Sequence, residues 1–414
     1  MLPAVVFHSP VCTGCHSLVR HTNMHQALLI ISAIIFGIYF SLIIYYRQSW
    51  VSIPDFRFTI SDFQPTTKIS LIIPARNEAE NIKNCLDSII NQSYPKHLFE
   101  ILVVDDHSTD NTAAIILGYT SQNVKLVSLK DFVSSTQINS YKKKAIELAV
   151  QQSSGELIVT TDADCFVPQN WLQTIAAFYE EKKPEFIVMP VAIDCSFRFI
   201  EIFQAVDFMT LQGITGASVY KKMHSMCNGA NLAYTKKVFN KVNGFAGIDT
   251  IASGDDMLLM HKIYKEYPGG IVYLKSKEVI VHTAPVKTIA EFFNQRIRWA
   301  SKAGKYDDKR IFGVLLLVYL FNCLLMVLPV LSLIKNVQYS MFNIQYSTFG
   351  VWILLLFLKT ITELVFILPV AKFFNKQSLL WLFPVMQPVH IIYTVIAGWL
   401  GKFGNYKWKG RSVK

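Results

Sequence analysis

No nucleic-acid-binding motif occurs in the 414 residues, although 40 basic against 29 acidic side chains leave a formal charge of +11 and a pI near 9.1. Such an excess suits nucleic acid, an anionic membrane face or a phosphorylated substrate, and the missing motif disfavours the first. The seven cysteines are scattered and odd in number, which argues against a disulfide framework and for a reducing compartment. No small-residue cleavage site comes after the first long apolar run, so a signal peptide is not expected there. What the chain has in quantity is apolar residues. A hydrophobic content of 52% and a mean hydropathy of +0.32 are high for a wholly soluble protein and place part of it in lipid.

Four apolar stretches account for that part. Residues 27–46 carry no charge and match the length of a bilayer-spanning helix. They are preceded by a polar tail, 1–26, in which Cys12, Cys15 and His16 form CTGCH, the spacing of covalent haem c attachment. A segment that short supplies no fold around a haem, so a plain tail is the expectation, with Met24 as an alternative start. Arg47, just beyond the run, favours a cytoplasmic position for the residues C-terminal to it. Stretches 311–334, 349–371 and 378–400 are also of spanning length. If all three cross, the basic tail 401–414 ends outside, against the positive-inside rule. Pro384 and Pro388 interrupt the last stretch, and a re-entrant segment returning the tail to the cytoplasm would remove that conflict. Within 349–371, Lys359 and Glu363 stand four apart, a helical pairing distance that could also face an acceptor path.

Between a linker, 47–67, and the C-terminal spans, residues 68–288 read as one α/β domain. Strand-like runs at 68–73, 99–104, 124–127 and 157–159 alternate with helix-like 79–92, 110–117, 142–152 and 171–181. That alternation implies right-handed crossovers and a mostly parallel, Rossmann-like sheet. Residues 189–224 are helix-rich and read equally as an acceptor lid or as core. In 289–308, Ile289, Phe292, Phe293, Ile297 and Trp299 are interspersed with charges, the pattern of an interfacial amphipathic helix.

Polar residues collect where an open α/β sheet binds ligands, beyond the carboxyl ends of its strands. Asp162 and Asp164 come directly after the strand in ELIVTTDADC and offer two hard oxygen donors for Mg2+ or Mn2+ on a diphosphate. Glu78 in PARNE, and Asp105 and Asp106 in DDHSTDNT, sit at equivalent ends and suit a nucleobase imide or ribose hydroxyls. Lys142, Lys143 and Lys144 open a helix, where ammonium groups and the helix dipole favour phosphate. Asp256 beside Asp255 is a general base or a helix cap. Gln295, Arg296, Arg298 and Trp299 suit either lipid headgroups or a diphosphate and a sugar ring. Each motif alone has an ordinary reading as a turn, a cap or a solvated face.

Their order is more specific. PARNE, VVDDHSTDNT, TTDADC, SGDD and QRIRW, flanked by membrane helices, resemble the inverting glycosyltransferases of family 2, of glycosyltransferase-A fold, over residues 68–302. The likeness is to the D, D, D, QxxRW branch, with ceramide glucosyltransferase-like, hyaluronan and cellulose synthase-like members. The resemblance implies that Glu78 with Asp105 or Asp106 contacts base and ribose, and that Lys142 or Lys143 sits near the diphosphate. It implies Asp162 on the nucleotide sugar, Asp164 with Asp162 on Mg2+ or Mn2+, Asp256 as base, and Gln295, Arg298 and Trp299 along the diphosphate and acceptor. Where the family often has Glu-Asp, this chain has Gly254, Asp255 and Asp256, which leaves the choice of base between Asp255 and Asp256 open. The expected protein is a multi-pass bacterial inner-membrane enzyme with a cytoplasmic catalytic domain, a nucleotide-sugar donor, most simply UDP-linked, and a lipid or glycan acceptor. Four apolar segments are few for a polymer channel, so single transfer is preferred to processive synthesis. A non-catalytic membrane protein with a nucleotide-binding domain would call for an incomplete carboxylate set, and this set is complete.

Overall fold

The computed structural model describes residues 13–58, 63–133, 140–223, 226–251, 254–301, 308–334, 338–341, 344–403, 406–408 and 411–413. Helix α1 (Thr13–Ser52) leads into β1 (Ile69–Ala75), α2 (Ile82–Ile90), β2 (Phe99–Asp105), α3 (Thr112–Leu117), β3 (Val124–Ser128), α4 (Tyr141–Gln152) and β4 (Leu157–Thr160). Next come β5 (Cys165–Phe166), α5 (Trp171–Lys182), β6 (Phe186–Val188), β7 (Val191–Ile193), α6 (Phe199–Tyr220), β8 (Leu232–Thr235), α7 (Lys236–Lys241), α8 (Met257–Glu266), β9 (Ile271–Tyr273), β10 (Val281–Thr283) and α9 (Ile289–Ala300). Apolar helices α10 (Lys309–Ile334), α11 (Thr348–Phe373) and α12 (Phe383–Phe403) complete the helical part.

Seven strands form the main sheet in the order β3-β2-β1-β4-β8-β6-β9. Strands β3, β2, β1 and β4 are parallel, as the alternating pattern implies, whereas β8 runs antiparallel to both β4 and β6. The chain moves outward from β1 to β3 and then returns to place β4 on the other side of β1. That reversal opens a crevice where β1 and β4 end, and both PARNE and TTDAD lie there. A second sheet, β5-β10-β7, braces the loop after β4; these short strands lack the apolar runs that mark the main ones.

Both faces of β1, β2 and β4 are covered, which is why they read as continuous apolar runs. Leu71, Ile73, Ile101 and Val103 pack with Trp171 and Leu86 in one core. Ile72, Leu102 and Ile158 face a second core that continues through Phe203 and Met209 into Tyr46 and Trp50 of α1 and Val370 of α11. Helix α6 makes this junction. A Cβ on Gly213 would lie 2.6 Å from Val370, and one on Gly216 would lie 2.7 Å from Trp50, so the two glycines permit α11 and α1 to approach. Residues 189–224 thus include a helix buried between sheet and apolar helices rather than a lid.

Among the described residues, four helices are long and apolar enough to cross a membrane. Helix α1 extends beyond 27–46 at both ends and includes Cys15 and His16 of CTGCH, whereas Cys12 lies outside the described residues. Lys359 and Glu363 do pair, at 2.8 Å, and Gln387 of α12 bridges both while the Tyr39 hydroxyl donates to Glu363. The last apolar stretch breaks earlier than its prolines imply. A 3-10 segment covers Gln377–Leu382, and α12 then runs unbroken through Pro388. Pro384 occupies the first turn, where its missing N–H costs nothing.

Candidate active site

At the crevice between β1 and β4 lies a cleft of about 630 Å3 that gathers Glu78, Asp106, Lys142, Asp162, Asp164, Asp255, Asp256, Gln295, Arg298 and Trp299. The loops after β1 and β2 are fixed by left-handed residues: Asn77 has φ +51° and His107 φ +53°, conformations that Asn and His tolerate better than most. Asn77 crosslinks the loops, donating its N–H to Ser108 Oγ at 3.0 Å and accepting from the Thr109 N–H at 2.8 Å. This turns Glu78, buried and accepting from Asn81 Nδ2 at 2.8 Å, toward the cleft.

Asp105 and Asp106 point to different places, as neighbours at a strand end must. Asp106 lines the cleft and lies 3.0 Å from His107 Nδ1 and 3.7 Å from Arg76 Nη1. Asp105 does not line it; its Oδ2 accepts a long 3.4 Å bond from the Ser108 N–H, and its Oδ1 is buried with no hydrogen-bond partner among the described residues. Of the two, Asp106 is therefore the one placed for the expected donor contact.

A tight turn leads out of β4, with the Cys165 N–H donating to Asp162 O at 3.2 Å. Ala163 packs inward at 2% exposure, which leaves Asp162 and Asp164 on the cleft side. Among the described residues no group of three or more His, Cys, Asp and Glu side chains forms a metal cluster. Two carboxylates fit a hard cation whose remaining ligands come from diphosphate oxygens and water. Thiols do not compete: burial, then the charges of Asp164 and Asp162, pushes Cys85 and Cys165 well above the usual thiol range.

Lys142 ties the halves of the site together. Its Nζ is 2.6 Å from Asp162 Oδ1 and 3.3 Å from Asp255 Oδ2. Burial opposes its charge, but Asp162, Asp255 and Asp256 outweigh that and raise its pKa above the ordinary lysine value. Lys143 corrects the alternative assignment. One residue along α4 it points away, is 2% exposed, and donates to Ile248 O and Ile251 O, each at 2.6 Å. Its role is to hold the segment that leads to Asp255.

The Gly254-Asp255-Asp256 departure has a backbone cause, because Gly254 has φ +82°, which a side chain would strain. Asp256 is itself the N-cap of α8: Oδ1 accepts from the Met257 N–H at 2.7 Å and Oδ2 from the Gly229 N–H at 3.1 Å. Capping and a place at the cleft therefore coincide in one side chain. The NGAN segment supplies this support. A Cβ on Gly229 would lie 3.1 Å from Asp255 and 3.2 Å from Lys142, while Asn231 fastens the segment to Trp171, Pro190 and Val279.

Helix α9 closes the cleft. Thr288 and Glu291 form a capping box at its start, and Gln295, Arg298 and Trp299 line the cavity. Arg296 does not meet lipid headgroups; it is 4% exposed and paired with Asp207 of α6 at 2.8 Å. Arg76, in PARNE, also lines the cleft and clamps Asp106 O at 2.8 Å. Its basic character beside a strand end was the available signal for it.

The family profile described as glycosyl transferase family group 2 matches residues 157–385, more than half of the chain, and that of glycosyl transferase family 2 matches 70–242. Glycosyltransferase AglE of Haloferax volcanii is 38% identical over 105 residues, 25% of this chain and 33% of that protein. The chain thus spans about a third of that relative. "Probable glycosyltransferase YdaM" of Bacillus subtilis is 24% identical over 359 residues, 79% of this chain and 80% of that one. The mannosyltransferase PcManGT of Pyrobaculum calidifontis, solved in complex with GDP-Man and Mn2+, superposes with a TM-score of 0.50 at 17% identity, covering 90% of this chain and 99% of that one. At that identity the likeness is one of fold, and the α/β domain has the glycosyltransferase-A architecture.

Proposed function

The chain belongs to glycosyl transferase family group 2, and from that premise we propose that it transfers a hexosyl unit from a nucleotide sugar, most simply UDP-linked, to a lipid or membrane-proximal acceptor. One observation carries the reading: a single cleft holds both the acidic residues at the sheet edge and the QRIRW side chains of α9. Its floor at Glu78 and Asp106 suits base and ribose, and Lys142 and Arg298 suit a departing diphosphate. Asp164 with Asp162 would hold Mg2+ or Mn2+, whose charge offsets that of the leaving group.

Inversion requires one displacement. The base takes the proton of the acceptor hydroxyl, the oxygen forms its bond to the anomeric carbon, and the glycosyl–phosphate bond breaks on the opposite face, its electrons leaving with the nucleoside diphosphate. Asp256 is the preferred base. Asp255 is already engaged by Lys142, whereas the donors on Asp256 are backbone N–H groups that orient its carboxylate.

A membrane acceptor is favoured by the wall opposite the carboxylates, where Phe208, Leu211 and Met226 face the cleft and α6 packs on α1 and α11. On this reading the protein is multi-pass in a bacterial inner membrane, with the α/β domain cytoplasmic. A groove of about 1110 Å3 opens beside Asp164 and presents Asn81, Asn84, Asn91, Gln169 and the half-exposed Phe166. Amides and an aromatic face suit a polyhydroxylated chain, which favours a polysaccharide synthase as the second reading.

Nucleoside diphosphate release by the purified protein, screened across nucleotide sugars with and without Mn2+, tests the activity. Product length with a radiolabelled donor separates single transfer from synthesis of a polymer. Asp256→Asn should lower kcat at least about 100-fold; near-normal turnover would move the base to Asp255, and no release with any donor would sink the reading.

A further inference from the structure

Arg296 lies within QRIRW yet does not line the cleft. It is held in a buried arrangement whose reach is unusual. Nη2 stands 2.8 Å from Asp207 Oδ2, with both side chains 4% exposed. The guanidinium carbon is 4.3 Å from the ring centroid of Trp299 and 4.8 Å from that of Phe292. Nη1 donates to Gln295 Oε1 at 3.2 Å. One planar cation thus contacts two of the side chains that face the cleft.

The other oxygen of Asp207 belongs to the C-terminal apolar helix. Tyr393 of α12 donates its hydroxyl to Asp207 Oδ1 at 2.5 Å, and His390 Nε2 stands 3.8 Å from the same atom. The Tyr393 ring packs on Phe292 at 5.4 Å and on Phe203 at 5.6 Å. A buried ion pair is weak evidence of a stabilising role, since well-packed apolar side chains of similar volume often serve as well. What the arrangement gives is placement: the ion pair holds a planar guanidinium stacked on Trp299 and Phe292 and donating to Gln295, which a lysine cannot reproduce.

We propose that Arg296, locked by Asp207 and by Tyr393 of α12, is a positioning residue that fixes the Trp299 indole at the acceptor side of the cleft, so that turnover depends on the last apolar helix. The proposal rests on the reading of the cleft as a site of glycosyl transfer. It joins the membrane part to the chemistry through a path of four side chains: Tyr393, Asp207, Arg296 and Trp299.

Tyr393→Phe is the sharpest variant, because it deletes one hydroxyl and keeps the ring. It should raise the acceptor KM and lower kcat, together by about three- to tenfold, and leave the donor KM within about twofold. Arg296→Lys should do the same more strongly. In a Trp299→Ala background, Tyr393→Phe should add less than about twofold, because its effect runs through the indole. Effects that multiply in the double variant, or that raise donor and acceptor KM alike, would overturn the proposal. A second readout does not need turnover. The emission of Trp299, taken as the difference between the parent and Trp299→Phe, should shift to longer wavelength in Arg296→Lys and in Tyr393→Phe. Unchanged emission overturns the positioning role, whereas shifted emission in the variants with no sugar transfer by the parent overturns the glycosyl-transfer reading instead.

Discussion

Lys142 Nζ donates to Asp162 Oδ1 across 2.6 Å, joining the first turn of α4 to the loop that ends β4. The same nitrogen is 3.3 Å from Asp255, so one cation balances carboxylates from two separate loops. Without it, Asp162 and Asp255 would lose the cation they share and repel each other as like charges.

The neighbouring lysines should therefore differ in binding. Lys142→Met is expected to weaken nucleoside diphosphate binding by about tenfold or more, since a charge-assisted contact is worth roughly 1.5–3 kcal/mol, and also to lower the melting temperature, because Asp162 and Asp255 lose their counter-charge. Lys143→Met should spare binding and lower stability by about 1–3 kcal/mol, because Ile248 O and Ile251 O lose their donor. Calorimetric titration and thermal melts read the two effects separately; equal losses of binding would restore Lys143 to the site.

Metal affinity should divide unevenly between the two carboxylates of the TTDAD turn. Asp162 is already engaged by Lys142, so Asp164→Asn is expected to weaken Mn2+ binding more than Asp162→Asn, and EDTA should abolish turnover. Electron paramagnetic resonance of bound Mn2+ measures both variants. Affinity that survives Asp164→Asn and vanishes with Asp162→Asn would reverse the assignment.

Strand runs and the motifs at their ends were legible in the sequence because a doubly covered parallel sheet imposes apolar runs that stop where the backbone turns to the ligand edge. Lys142 and Lys143 were not separable, since which of two adjacent helical residues faces the cleft depends on how α4 sits on the sheet. Asp105 and Asp106 posed the same problem at a strand end. Gly229 and Asn231 were visible in NGAN, but their work is to support Asp256 from 25 or more residues away in the chain, and no local pattern encodes that. Arg296 could be read as a contact to a lipid headgroup or to a diphosphate because its partner, Asp207, lies in the largely apolar α6, far away in the chain.

Acid should loosen the junction of β1, β2 and the turn before β4. Glu100 Oε1 accepts from Ser70 Oγ at 2.6 Å, from the Ser154 N–H at 2.5 Å and from Ser154 Oγ at 2.8 Å. Burial raises its pKa, but these hydrogen bonds outweigh that and hold it below the ordinary 4.5. A depressed folded pKa means that the unfolded chain takes up the proton first, so the stability is present above about pH 4.5 and is lost as pH falls through the folded value. Allowing for partial exposure to solvent, the contribution is about 1 kcal/mol. Glu100→Gln should cost that amount at neutral pH, and the gap to the parent should close in acid; a gap that is constant with pH would show that the charge plays no part.

The final prediction concerns the side of the C-terminus. Immediately before the 3-10 segment Gln377–Leu382, Lys376 Nζ donates to Ile193 O at 2.7 Å, and Lys277 reaches Asn375 at 2.7 Å. At the far end of α12, a Cβ on Gly401 would lie 2.6 Å from that of Ala300 in α9. One end of the last apolar segment is therefore held against the α/β domain and the other against α9. Between them Gln387 meets Lys359, which at 1.5 Å per residue is about 20 Å along α11 from Phe373. A segment anchored in this way is expected not to cross, and the basic tail with Lys402, Lys407, Lys409, Arg411 and Lys414 would then satisfy the positive-inside rule. A reporter fused to the C-terminus should read the same side as one inserted in the α/β domain, and opposite readings would require α12 to leave α9. Gly401→Leu offers a second check, because a side chain there collides with Ala300: it should lower turnover by disturbing α9 even though it lies far from every cleft residue in sequence, and unaltered turnover would show that α12 is not held against α9 there.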